Sequence, residues 1–149
     1  MKTTKKHQKY TEWLSAEEMH SASKQWLSEL EFIEDEHLFF NDLIMTFTSE
    51  LIAPDKFSKG RELIDLIYQS QKQNNVLQKA VKTHENDLQI MVDGVNQIKE
   101  EQAYMEEHLG LISLINDFLK DYRVLKRALF DLIKTIKKED KLRHLINRK

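Results

Sequence analysis

Histidines set among carboxylates and amides are where this sequence could do chemistry. Glu34 and His37 stand three residues apart, the step by which one turn of helix presents a carboxylate and an imidazole to a shared metal in di-metal helical bundles. That chemistry needs such a step on each of two helices and a further Glu from two others. His84, His108 and His144 have no Glu three residues before them, so a di-metal carboxylate centre is not expected.

A zinc-type site is the better metal hypothesis. If the chain turns near residues 54 and 95, reflection about those turns brings His84 and His108 to one height, with His20 about a turn away. Three imidazoles, helped by Glu85 or Glu107, could fill a tetrahedral N/O coordination shell. The plainer expectation is that the three line the wet end of a bundle, and no cofactor is assigned. The same reflection levels His37 with Asn74 and Asn116, near Ser70 and Asn41. Those three residues read as a polar core layer that fixes register, as a single buried amide does in a coiled coil.

Other chemistries lack their residues. There is no cysteine, which removes disulfides, thiolate metal sites and thiol nucleophiles. No glycine-rich phosphate loop, nucleophile elbow or dinucleotide fingerprint occurs. The expectation is a protein that is not an enzyme.

The elements that must position these residues are helices. Trp26, Leu30, Ile33, His37, Phe40, Ile44, Phe47 and Leu51 step by alternating fours and threes. Leu111, Ile115, Phe118, Tyr122, Leu125, Leu129, Leu132 and Ile136 repeat that rhythm. Steps averaging 3.5 residues keep one helical seam facing a partner. With 3 glycines and 1 proline in 149 residues, and no period-2 apolar run, no sheet is expected. Ser15 and Glu18 form a capping-box pair at which the first helix could start, with a break near Ser21–Ser23 as the alternative. The helix should run to about Ile52, before Pro54. Asp55 or Ser58 would cap the second helix. It ends near Asp93-Gly94 if the chain turns there, and otherwise continues as one very long helix to about 139. A break near His108-Leu109-Gly110 is a further option. The expected fold is all-α, an up-down-up bundle of three long antiparallel helices with coiled-coil-like packing. Residues 1–10 form a flexible basic arm, 11–139 the bundle domain and 140–149 a basic C-terminal tail, helical or a separate turn.

Charge bears on partners. Residues 1–10 net +4, residues 120–149 net +7 and the stretch between them −13, for −2 in all. Lys120, Arg127, Lys134 and Lys141 recur every seven residues as a basic stripe, which could meet nucleic acid or an acidic membrane surface. The simpler expectation is a solvated flank whose aliphatic stems cover the seam. Phe32, Phe39 and Leu43 lie off the main seam of the first helix, a second apolar face suited to a protein partner or a homodimer. No apolar run is long enough to span a membrane, and the start lacks the apolar core of a secretory signal. The expectation is a cytoplasmic interaction or scaffold protein that self-associates.

Overall fold

The computed structural model of this chain describes residues 15–93 and 98–147. Four helices occupy them: α1 (Ala16–Thr46), α2 (Thr48–Leu51), α3 (Phe57–Asp93) and α4 (Ile98–Asn147). No strand occurs among the described residues. The chain is all-α. The expected basic arm at residues 1–10 lies outside the described residues, as do residues 94–97, on which the question of the turn after Asp93 falls.

The seams decide which faces are buried. Leu30, Phe40 and Leu51 on the first rhythm, and Ile115 and Leu129 on the second, are fully buried. Ile67 and Val81 do the same for α3. At about 25 cal/mol per Å2 of apolar surface removed from water, such side chains dominate the drive to pack.

α1 begins where the sequence predicts and ends earlier. Ser15 Oγ accepts the Glu18 backbone N–H at 3.0 Å, the helix-capping half of the expected pair. No break occurs at Ser21–Ser23: Ser23 is buried, and its hydroxyl donates to the Met19 carbonyl at 2.9 Å. α1 stops at Thr46, not near Ile52. Thr46 and Thr48 donate their hydroxyls to the carbonyls of Asp42 and Ile44, a local alternative that competes with regular helix. Four residues of α2 follow, and then the turn at Pro54.

α3 begins at Phe57, so Lys56 occupies the cap position, and its carbonyl accepts the Gly60 N–H at 2.8 Å. Neither Asp55 nor Ser58 caps the helix. The Asp55 carboxylate instead takes the Lys56 ammonium at 2.8 Å. Gly60 serves a close approach: a Cβ built there would stand 2.0 Å from the Leu51 carbonyl oxygen. α4 runs without a break through Gly110 and on to Asn147, so the described part of the basic tail is helical continuation.

Contacts gather into two units. Unit 1 comprises residues 1–33 and 74–117, and unit 2 residues 34–73 and 118–149. In unit 1, Met19, Leu88 and Tyr104 share a core cluster drawn from α1, α3 and α4. In unit 2, Phe40 meets Phe130 edge-on at 5.6 Å, and Lys56 donates to Glu139 Oε2 at 2.7 Å.

Candidate functional site

The chemistry-bearing side chains fall into two networks, one in each unit. Unit 1 holds the histidine pair. His84 on α3 and His108 on α4 lie on the buried seams of their helices, three residues from Val81 and Leu111, and so face inward together. His84 Nε2 and His108 Nδ1 are 2.9 Å apart, and His84 Nδ1 is 3.0 Å from Glu107 Oε1. With both rings neutral, one assignment satisfies the chain. His108 Nδ1–H donates to His84 Nε2, and His84 Nδ1–H donates to the Glu107 carboxylate. Flat groups clamp the pair: Tyr104 stacks on His84 with centroids 4.0 Å apart, and Trp26 stacks on His108 at 4.7 Å. Burial, with a smaller contribution from His84, lowers the His108 pKa from 6.5 to about 4.

His20 does not join the pair. Its Nδ1 meets Glu85 Oε2 at 2.5 Å, while Glu85 Oε1 and the Tyr104 hydroxyl are buried without a hydrogen-bond partner. Burial, and then the charges of Glu85, Glu107 and Asp87, raise the Tyr104 pKa. The three histidines do not converge as the zinc alternative requires, and His84 and His108 are buried where the plainer expectation was a wet end. A metal would need both imidazole nitrogens about 2.0–2.1 Å from one point, whereas here they spend their facing atoms on each other. No group of three His, Cys, Asp or Glu side chains among the described residues has a metal-holding arrangement. Glu17 and His20 repeat the Glu34–His37 step, a recurrence the spacing argument passed over. Both steps lie on α1, and His20 is engaged elsewhere.

Unit 2 holds the second network. His37 Nε2 lies 2.9 Å from Ser70 Oγ, and Tyr122 meets the ring edge-on at 5.3 Å. The Tyr122 hydroxyl donates to Glu36 Oε1 at 2.9 Å, and the Lys126 ammonium donates to Glu36 Oε2 at 2.8 Å. Burial lowers the His37 pKa against the raising influence of Glu36 and Glu34. Burial first, and then the bond to Glu36, raise the Tyr122 pKa. His37 is thus paired with Ser70, and Tyr122 and Lys126 share the Glu36 carboxylate.

The expected polar layer of His37, Asn74 and Asn116 is not built. Asn74 is buried in unit 1, where it donates to the Leu30 carbonyl at 3.0 Å and accepts from Gln78 at 3.0 Å. His37 has Ser70. Asn116 is exposed, one residue past the fully buried Ile115 and thus about 100° around the helix. Matching heights along a bundle places a residue at a level but does not aim it inward.

The surface features are mixed. Phe32 is 63% exposed and Phe39 53%, while Leu43 is half-buried, so two of the three off-seam residues face outward. Leu38 and Met45 on α1 are also exposed. All four stripe residues, Lys120, Arg127, Lys134 and Lys141, are exposed. Arg123, Arg127, Phe130 and Lys134 line a shallow hollow of about 310 Å3 in unit 2. A larger open groove of about 530 Å3 lies in unit 2 between α3 and α4, and nothing in the linear pattern announces it. No helix among the described residues is long and apolar enough to cross a membrane.

No protein family, no curated protein and no solved structure matches this chain.

Proposed function

We propose that this chain is a non-enzymatic, cytoplasmic helical-bundle protein that acts by protein–protein interaction and self-associates. Its finer architecture in this reading is an up-down-up bundle of α1, α3 and α4. Within unit 1, Met19 meets Leu88 and Tyr104 while Leu30 meets Asn74 and Trp26 meets His108, so residue numbers rise along α1 and α4 as they fall along α3, which supports it. The observation that carries the functional reading is the outward set on α1: Leu38, Phe39 and Met45 in unit 2, with Phe32 in unit 1. Large apolar side chains grouped on the outside of a helix mark interaction surfaces more often than isolated ones do. The buried histidine networks fit a structural role, since His84 bonds Glu107 and His108, and His37 bonds Ser70.

The test is light scattering of the chain beside a Phe39→Ser/Met45→Ser variant. The reading expects an oligomer that the variant weakens at least tenfold. An unchanged mass would remove α1 as the contact.

A second reading has its own observation. The exposed basic stripe, with Arg123 beside it, could hold a polyanion, either nucleic acid or acidic lipid. Such binding would fall steeply with salt. Absence of binding to DNA, RNA and anionic vesicles at low salt would rule it out.

A further inference from the structure

The α4 segment beyond residue 136 has no burying partner. Ile136 is the last buried residue among the described part of α4; Glu139 pairs with Lys56 in the turn before α3, and the charge of Arg143 reaches Asp55 in the same turn. Past Ile136, Leu142, Leu145 and Ile146 are 59%, 53% and 69% exposed. Their spacing of three and four puts them on one face. Lys138, Lys141 and Arg143, all exposed, surround that face. It is a short cationic amphipathic helix with an anchor pattern of the kind that seats in grooves.

A groove with the opposite character lies in the same unit. Leu63 and Phe118 are buried at its base, Leu66 and Leu125 form its walls, and the exposed carboxylates of Glu62 and Asp121 stand at its rim with Lys59. Its volume of about 530 Å3 falls within the roughly 300–1,000 Å3 typical of binding clefts. The segment cannot fill the groove of its own chain. Leu142 is 17 residues beyond Leu125 on one continuous helix, about 25 Å away at 1.5 Å per residue.

Resting on the self-association reading above, we propose that residues 137–147 of one copy dock into the α3–α4 groove of a second copy. Leu142, Leu145 and Ile146 enter the apolar cleft, and Lys138 and Lys141 meet Glu62 and Asp121. The contact joins two different surfaces. It is therefore heterologous, closing into a ring or a reciprocal dimer, or else propagating head to tail.

Charge reversal tests it on the full chain. A groove variant carries Glu62→Lys and Asp121→Lys; a tail variant carries Lys138→Glu and Lys141→Glu. All four residues are exposed, and a wild-type helical spectrum checks folding of each variant. In sedimentation experiments, each variant alone should associate at least tenfold more weakly than wild type. Mixed one to one, the two should recover wild-type association, because each tail then meets a groove of opposite sign. Wild-type mass in either variant, or a mixture that stays dissociated, overturns the proposal. If the reversed variants keep their mass while Phe39→Ser/Met45→Ser dissociates, this contact is wrong and self-association stands. A wild-type chain that is monomeric at every concentration overturns both. So does a monomer whose 137–147 segment binds only anionic vesicles.

Discussion

Two glycines with the same side chain, or lack of one, have opposite reasons to be there. Gly60 lies against the Leu51 carbonyl, 2.0 Å from where a Cβ would stand, whereas a Cβ on Gly110 would meet nothing within 4 Å. Gly60→Ala should lower stability by roughly 1–3 kcal/mol, the usual cost of forcing atoms into a packed contact. Gly110→Ala, in the middle of α4, should raise it by about 0.5–1 kcal/mol through helix propensity. Urea midpoints of the two variants should move in opposite directions, and a shift of the same sign would refute the close approach. His108 gives a pH prediction. Its pKa is about 4 in the folded chain against 6.5 for the free side chain, so the unfolded chain takes up this proton first as pH falls. Its contribution is complete above pH 6.5 and is lost between there and about 4, at up to about 1.4 kcal/mol per pH unit. NMR titration should find the His108 ring still neutral at pH 5. Titration near 6.5 would contradict the clamped, buried pair.

At the scale of elements, spacing was the legible part. Leu30, Phe40, Ile115 and Leu129 are fully buried because a 3.5-residue rhythm leaves each helix one face to hide. Phe40→Ala, beside Phe130 and Tyr122, should cost about 3–5 kcal/mol. A loss under 1 kcal/mol by chemical unfolding would place the seam elsewhere. The common level of His84 and His108 was legible from the reflected heights, but their burial was not, since the plainer expectation put them at a wet end. Asn116 shares a level with the core but is exposed, because it stands one residue past Ile115 and off the buried seam. The end of α1 at Thr46 was misread because hydroxyl groups bonding back to carbonyls compete locally with a periodic pattern that runs on to Leu51.

At the scale of the molecule, the division into two units was not legible, because α1, α3 and α4 each contribute residues to both without any break in sequence. The units differ in chemistry. Among the described residues, unit 1 carries 4 basic and 12 acidic residues, and unit 2 carries 13 and 12. Ser23, Asn74, Gln78, His84 and His108 are buried in unit 1, against His37 and Ser70 in unit 2. Buried polar groups of this kind contribute little net stability on average. The groove was hidden from the sequence for a related reason, whereas the helical tail was among its expectations. Periodicity tells which face of a helix is apolar, but not where a partner helix stops covering it. The most direct test of the central claim is sedimentation equilibrium of the unmodified chain across a wide concentration range. The account predicts a mass that rises with concentration to a multiple of 17.8 kDa. A single species of 17.8 kDa throughout would contradict it.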